Sequence, residues 1–249
     1  FAISQGFDED VANAVSDHYL PVGVSSPVPK KPISYSISIV DKLDSLVGFF
    51  LINEKPTSSK DPFALRRAAI GLLRIIIENN LTIKLVDLIS SSIKLFEDQG
   101  VKIENNTAQK EILDFLKERM RNILRDNKIQ TDIIEAAISS HTGDNYLDLY
   151  KKSILMNRYI KKEVGKNVIK SYKRAFNIVE NVDKGITGKP DAVLFRHEVE
   201  KTLFNKLLKI RKDFTVKEDK KNYENLLFQM SEAKQCTDNF FDNVRVNDE

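Results

Sequence analysis

Apolar residues recur at helical spacing along almost the whole chain, and this periodicity limits the fold more than any other feature. The 9 glycines and 7 prolines stand mostly between the periodic segments, and no run alternates apolar and polar residues as a strand would. The sequence therefore predicts an all-α protein. We expect helices at about residues 9–20, 32–52, 61–78, 82–97, 107–126, 130–140, 145–161, 163–181, 191–213 and 216–241.

The composition excludes several classes of protein. Of the 249 residues, 41% are hydrophobic and 30% are charged, which is typical of a folded domain rather than a disordered tail. The longest apolar runs, such as residues 46–52, are too short to span a bilayer. A single cysteine, Cys236, excludes a disulfide framework. No segment has the pattern of a signal peptide, and the first residue, Phe1, falls inside an apparent helix, so we expect a cytoplasmic fragment of a longer protein without membrane contact.

Positive charge is concentrated in the second part of the chain. Residues 1–100 carry 10 Lys and Arg against 12 Asp and Glu, whereas residues 101–249 carry 29 against 24. From Lys151 to Arg174 there are nine basic residues and one acid, Glu163. Such a block indicates a polyanionic partner, but a solvated helix face gives the same pattern. From charge alone, both interpretations stay open.

Taken as one helix, residues 157–180 separate into two faces, unless Gly165 breaks the helix. The apolar stripe consists of Ile160, Val164, Val168, Tyr172, Ala175 and Val179. The opposite side carries Arg158, Lys162, Lys166, Lys170 and Lys173. We expect the first face to pack in the core and the second to attract phosphates. Four tyrosines lie near this block, and we expect them in the core rather than as stacking surfaces for bases: Tyr146, Tyr150, Tyr159 and Tyr172.

Residue types that carry catalysis are sparse. The three histidines, His18, His141 and His197, stand alone, with no second histidine at helical spacing. Asp41 and Asp44 lie near one helix face, where acids cap or pair more often than they bind a metal. We predict no catalytic residue and no metal site, so the chain is expected to bind rather than to react.

Two stretches resemble the β subunit of bacterial glycyl-tRNA synthetase. They read DKLDSLVGFF at 41–50 and EKPTSSKDPFALRRAA at 54–69. Weaker landmarks of the same family occur in the right order at 18–21, 27–29, 114–119, 132–137, 173–178 and 240–244. The resemblance covers essentially the entire chain and is to the C-terminal part of that subunit.

The resemblance implies an activity and a domain organisation. The family attaches glycine to its tRNA as an α2β2 ligase of protein biosynthesis. Its α subunit holds the class II catalytic core with ATP, glycine and Mg²⁺, and its β subunit supplies tRNA-binding domains. On that pattern residues 1–100 form the C-terminal part of an HD-like helical domain. Residues 105–249 form a helical bundle similar to the anticodon-binding domain of arginyl-type synthetases. We expect no cofactor on this chain.

Site residues follow from the basic block and the family pattern together. We expect glycine tRNA to contact Arg158, Lys162, Lys166, Lys170, Lys173 and Arg174. Lys60, Arg66 and Arg67 match the family's KDPFALRR signature, which implies contact with RNA or with another domain.

Two alternatives stay open at this point. One is a metal-dependent phosphohydrolase of the HD type that uses Asp41 and His18. Asp41 falls where that superfamily places its last metal ligand, although the chain contains no His-Asp doublet. The other alternative is a purely structural helical module that docks the α and β subunits.

Overall fold

The computed structural model describes residues 1–23, 25–57, 59–141, 143–180, 190–215 and 222–245. Within these ranges it contains ten α-helices and no strand, which confirms the all-α prediction. They are α1 (Glu9–Asp17), α2 (Pro32–Leu51), α3 (Leu65–Glu78), α4 (Leu85–Asp98), α5 (Ala108–Asp126), α6 (Thr131–Ser140), α7 (Tyr146–Tyr159), α8 (Glu163–Val179), α9 (Glu198–Phe214) and α10 (Tyr223–Asn243). None of these helices has the length and hydropathy needed to cross a bilayer. The predicted helix ends at 181 and 216 lie outside the described residues.

Three helices begin later than predicted, and one of them is α4, which begins at Leu85 rather than near residue 82. Helix α3 begins at Leu65 rather than near residue 61, because the Asp61 carboxylate accepts the backbone N–H groups of Leu65 at 2.9 Å and Arg66 at 3.0 Å. Helix α9 begins at Glu198 rather than near 191. There the Glu200 carboxylate accepts the N–H groups of the two residues before the helix, at 2.7 and 2.5 Å. Such caps fix where a helix starts, and the apolar period alone does not reveal them.

The chain forms two compact units, residues 1–153 and residues 154–249. This division falls at a different place from the domain boundary expected near 100–105. That boundary was expected because residues 1–100 should resemble HD-like domains and residues 105–249 should resemble anticodon-binding domains. It stays a prediction. The compact units describe instead which helices pack together.

The segment after α4 is firmly attached to the first unit. The backbone N–H groups of Glu104 and Asn105 donate to the carbonyl oxygen of Leu51 at 2.9 and 3.1 Å. The Asn105 side chain donates to the carbonyl of Phe50 at 3.2 Å. These bonds satisfy carbonyls at the C-terminal end of α2, which would otherwise lack partners. The polar composition of residues 100–107 therefore marks a cap on α2 as well as a change in composition.

Helix α2 is the centre of the first unit, because α1, α3, α4 and α5 all pack against it. Its buried apolar side chains are Ile39, Leu43, Leu46, Val47, Phe50 and Leu51. Helix α3 adds Leu65, Ala69, Leu72, Leu73, Ile75 and Ile76, and α5 adds Ile112, Leu116, Met120, Ile123 and Leu124. Each fully buried large side chain contributes about 1.5–3 kcal/mol relative to exposure, so this cluster is the main source of stability in the unit.

A buried lysine joins α2 to the end of α1. Lys42 is only 5% exposed, and its ammonium donates to the carbonyls of His18 and Tyr19, each at 3.3 Å, and to the Ser38 hydroxyl at 2.9 Å. Burial lowers the pKa of Lys42. The carbonyls just past α1 carry the negative end of that helix, so they are suitable acceptors for a buried cation.

The path of the Lys42 side chain depends on a glycine in α3. A Cβ atom at Gly71 would lie 2.9 Å from the Lys42 Cε atom and 3.2 Å from its Cδ atom. We therefore expect Gly71→Ala to displace a pinned lysine and to lower the free energy of unfolding by about 1–3 kcal/mol in urea titrations. Gly143→Ala is the matched control, because a Cβ there meets nothing within 4 Å. Equal stability of the two variants would contradict this interpretation of the lysine.

The second unit contains α8, α9 and α10, and α10 packs against both of the others. Its buried apolar residues are few within the described ranges, with Leu226, Leu227 and Ala233 from α10 and Tyr159 from the end of α7. The Tyr159 hydroxyl donates to the Glu224 carboxylate. Because this apolar core is small, polar contacts contribute more to the relative orientation of the helices.

An arginine ties α8 to α10. The Arg174 guanidinium donates to Asp238 at 2.9 Å and to Asp242 at 2.7 Å, and it lies 5.1 Å from the centre of the Phe241 ring. Lys234 also contacts Asp238 from the preceding turn of α10. The hydrogen bond from Lys234, and then that from Arg174, hold the pKa of the Asp238 carboxyl below its ordinary value. This arginine–carboxylate clasp fixes which side of α8 faces α10.

We expect Asp238→Asn to loosen this clasp. An aspartate with a lowered pKa in the folded chain stabilises that state above its unfolded pKa, and this contribution is lost as pH falls through the folded value. At pH 7 the substitution should therefore lower the free energy of local unfolding by about 1 kcal/mol. Amide hydrogen exchange in α8 and α10, measured by mass spectrometry, should then be about fivefold faster than in wild type. The difference from wild type should vanish below the folded pKa of Asp238.

Asp242→Asn is the control for this measurement, since the Asp242 side chain is 63% exposed against 29% for Asp238. Its effect should be smaller, because solvent screens an exposed ion pair. A difference between wild type and Asp238→Asn that stays constant down to strongly acidic pH would show that the carboxylate charge does not hold the helices together.

Candidate nucleic-acid interface

The basic block spans a corner between two helices. Taking residues 157–180 as one helix is wrong, because α7 ends at Tyr159 and α8 begins at Glu163. Gly165 does not break α8 but lies in its first turn. A Cβ atom there would lie 2.4 Å from the Tyr159 carbonyl oxygen and 2.8 Å from the Ile160 Cα atom, so the corner closes only around a glycine. Arg158 and Lys162 consequently do not share the helical phase of α8.

Three lysines form one exposed face of α8, which we call the lysine face: Lys166, Lys170 and Lys173. Their spacing of four and three residues places them on adjacent turns. Each is exposed, and within the described ranges none makes an ion pair. An unneutralised row of ammonium groups on one helix can contact several phosphates in succession.

The other three predicted contacts in the block differ from the lysine face. Arg158 is exposed near the end of α7. Lys162 is exposed too, and its ammonium lies 4.8 Å from the centre of the Tyr159 ring. Arg174 is half-buried in the clasp with Asp238 and Asp242, so two carboxylates already neutralise its charge. The structure therefore brings three of the six cations together on α8 and gives Arg174 a packing role.

The tyrosines near the block divide into two groups. Tyr146 and Tyr159 are buried, as expected, and burial raises the pKa of the Tyr146 phenol, whose hydroxyl donates to the Leu113 carbonyl at 3.0 Å. Tyr150 is half-buried. The core prediction is wrong for Tyr172, which is 64% exposed, and for Val179, which is 66% exposed.

Sequence reasoning missed an aromatic pair beside the lysine face. The rings of Tyr172 and Phe176 stack with their centroids 5.6 Å apart and their planes at 25°. The sequence does hold an indication of it. Apolar residues on α8 cover more of the circumference than contact with one neighbouring helix requires, so some of them had to remain outside the core.

The signature residues in the first unit form a tight turn before α3. The Asp61 carboxylate caps α3, and the Phe63 ring stacks on Phe49 with centroids 3.9 Å apart. The Arg66 guanidinium donates to the carbonyl of Thr57. Lys60 and Arg67 are exposed. Much of the signature therefore builds the turn, and its two exposed cations remain available for a partner.

A second arginine lies near Arg66. Burial lowers the pKa of Arg119, and the positive charge of Arg66 lowers it further. The Arg119 guanidinium lies 5.1 Å from the centre of the Phe115 ring, and its Nε atom is buried without a hydrogen-bond partner among the described residues. The carboxylates of Glu118 and Asp61 act in the opposite direction and raise the pKa of Arg119.

The residues of the phosphohydrolase alternative have other contacts. The His18 ring nitrogen Nδ1 lies 2.7 Å from the Val15 carbonyl, and the ring packs on Tyr19 with centroids 3.9 Å apart. Asp41 is half-buried one residue before the buried Lys42. In the part of the chain that the structure describes, no three His, Cys, Asp or Glu side chains lie together as metal ligands.

Comparison with known proteins agrees with the sequence motifs. The family model described as glycyl-tRNA synthetase beta subunit matches residues 1–139. The glycine–tRNA ligase beta subunit of Rickettsia canadensis is 38% identical over 248 residues, which cover 100% of this chain and 36% of that protein. The corresponding subunit of Glaesserella parasuis is 34% identical over 250 residues, again 36% of its length.

The chain thus spans about a third of the length of the curated relatives it matches. The match lies in the C-terminal part of those relatives. The family model covers more than half of the chain, and the relatives extend the similarity through α8, α9 and α10. This chain belongs to the glycyl-tRNA synthetase β subunit family.

Proposed function

We propose that this chain is a non-catalytic, tRNA-binding part of a glycine–tRNA ligase β subunit. On this proposal it positions glycine tRNA by the anticodon arm, so that the α subunit can attach glycine. The observation that carries the proposal is the lysine face of α8, an exposed row of three cations without ion pairs among the described residues. Membership of the glycyl-tRNA synthetase β subunit family supports tRNA as the polyanion.

The binding energy comes mainly from phosphates. Each lysine that neutralises a phosphate releases condensed counterions, so affinity falls as salt rises, by about 0.7–0.9 in logarithmic slope per contact. Such contacts set the register and orientation of the RNA but do not read its sequence. The lysine face would therefore hold the tRNA arm, while discrimination between anticodons needs contacts to bases.

On this proposal, binding of the anticodon arm assists a reaction that takes place elsewhere in the enzyme. A tRNA fixed at one end delivers its acceptor end to a defined place, and positioning of this kind lowers the entropy cost of the reaction. On the proposal, the α subunit of an α2β2 enzyme in the cytoplasm binds ATP, glycine and Mg²⁺. No residue of this chain is assigned to those groups. The role of the chain is to bind and orient.

A second candidate is a module that docks the subunits. Ile33, Ile37 and Val40 recur at helical spacing on α2 and are exposed, which favours an apolar contact with another protein. This candidate predicts that the chain does not bind tRNA at any salt concentration. The RNA measurement below therefore separates the two, and wild-type binding at low salt would favour the tRNA-binding proposal.

We expect Lys166→Glu, Lys170→Glu and Lys173→Glu together to abolish most tRNA binding. The three changes replace attraction to phosphates by repulsion, so affinity for an unmodified glycine tRNA transcript should fall about 100-fold or more at low salt. The slope of log affinity against log salt should shrink by about 2–3. A filter-binding titration of the full chain at several salt concentrations gives both values.

The control replaces three exposed lysines of the first unit, Lys84, Lys94 and Lys110, which also lack ion pairs among the described residues. Lys84→Glu, Lys94→Glu and Lys110→Glu together change net charge by the same amount, and binding should stay within about threefold of wild type. Equal losses from both triple variants would mean that net charge, and not the lysine face, attracts the tRNA. Circular dichroism checks that both variants stay helical.

A further inference from the structure

Exposed aromatic surface runs along α8 beside the lysine face. Tyr172 is 64% exposed and Phe176 is 45% exposed. At 100° per residue, the angular separation from Phe176 around the helix is about 60° for Lys173, about 80° for Lys166 and about 120° for Lys170. Among the described residues, the only ring contact of either aromatic is with the other. The helix therefore presents two stacked rings and a row of cations on adjoining sides, with Lys173 between them.

The two rings do not belong to the packed side of α8. The Arg174 clasp fixes the side of α8 that faces α10, and Val168 and Ala175 lie half-buried on it. Tyr172 and Phe176 lie outside that side, although large aromatic rings normally gain most from burial. Because the two rings stack on each other, each also keeps an outer face that the other does not cover.

We propose that unpaired RNA bases stack on the Tyr172–Phe176 pair while the lysine face holds the neighbouring phosphates. The inference rests on the proposed function and adds the mode of recognition, which is single-stranded nucleotides rather than a paired stem. Flat aromatic faces beside cations match the two chemical parts of a nucleotide, its base and its phosphate. A protein partner would meet three unneutralised ammonium groups at the edge of this apolar surface, so charge favours RNA.

The test compares unpaired and paired RNA on the full chain. Tyr172→Leu with Phe176→Leu keeps apolar side chains but removes both rings. Affinity for an unpaired 12-nucleotide RNA should fall about tenfold or more, since base–aromatic stacking contributes this much per base. Affinity for a blunt duplex of the same composition should stay within about twofold. The salt slope should also stay unchanged, because the lysines remain.

Tyr172→Phe with Phe176→Tyr is the matched control. It retains both rings, so it should bind the unpaired RNA like wild type. A loss equal to that of the leucine variant would overturn the proposal. So would an unchanged affinity of the leucine variant for unpaired RNA. If wild type binds neither RNA at low salt, the proposed function fails first, and that result is distinct from a failure of the aromatic pair alone.

Tyrosine fluorescence gives a second measurement that does not depend on the leucine variant. The chain has 7 tyrosines and no tryptophan, so its intrinsic emission comes from tyrosine. A base stacked on Tyr172 should quench part of that emission when unpaired RNA binds. Tyr172→Phe alone should remove this part of the quenching and keep the affinity within about twofold. Identical quenching in wild type and variant would contradict stacking on Tyr172.

Discussion

The orientation of α8 on α10 is the constraint from which the rest of the account follows. Arg174 reaches two carboxylates on successive turns of α10, and a helix held at that point can turn only one set of residues outward. The outward set includes the lysine face and the Tyr172–Phe176 pair. Rotation of α8 in one direction would bury the rings, and rotation in the other direction would carry the lysines toward the carboxylates. The arrangement of the proposed interface thus depends on one ion-pair cluster in a unit with a small core.

Two glycines, Gly165 and Gly71, lie where neighbouring atoms leave no room for a side chain. At Gly165 the backbone of the preceding corner approaches so closely that no side chain fits, and this lets α8 start immediately after the turn. At Gly71 the missing side chain leaves room for the buried Lys42. In both places close approach, rather than an unusual backbone angle, explains the residue. The first unit therefore depends on a buried cation, and the second depends on a corner that positions a cationic helix.

The sequence alone predicted the helices well and the outward face of α8 only in part. The spacing of apolar residues and the positions of glycine and proline locate helices, because burial of one apolar side dominates helix stability. The late start of α3 was not predictable in this way, since it depends on the Asp61 carboxylate reaching backbone groups four and five residues ahead. The family resemblance is confirmed, whereas the tRNA contacts remain a prediction.

The differences between expectation and structure at the candidate site have one physical origin. Charge and period describe a helix in isolation, but a partner helix decides which residues are covered. Arg174 was grouped with the lysines because it is a cation, and only the position of Asp238 and Asp242 on α10 gives it a different role. Tyr172 was assigned to the core because aromatic residues usually pack, and only the rotation of α8 exposes it.

The most direct test of the central claim is to map where RNA touches the chain. Glycine tRNA can be crosslinked to the full chain by ultraviolet light, and the modified peptides can be identified by mass spectrometry. The account predicts that crosslinks concentrate on α8, at Tyr172, Phe176 and the adjacent lysines. Crosslinks confined to the first unit, with none on α8, would contradict it.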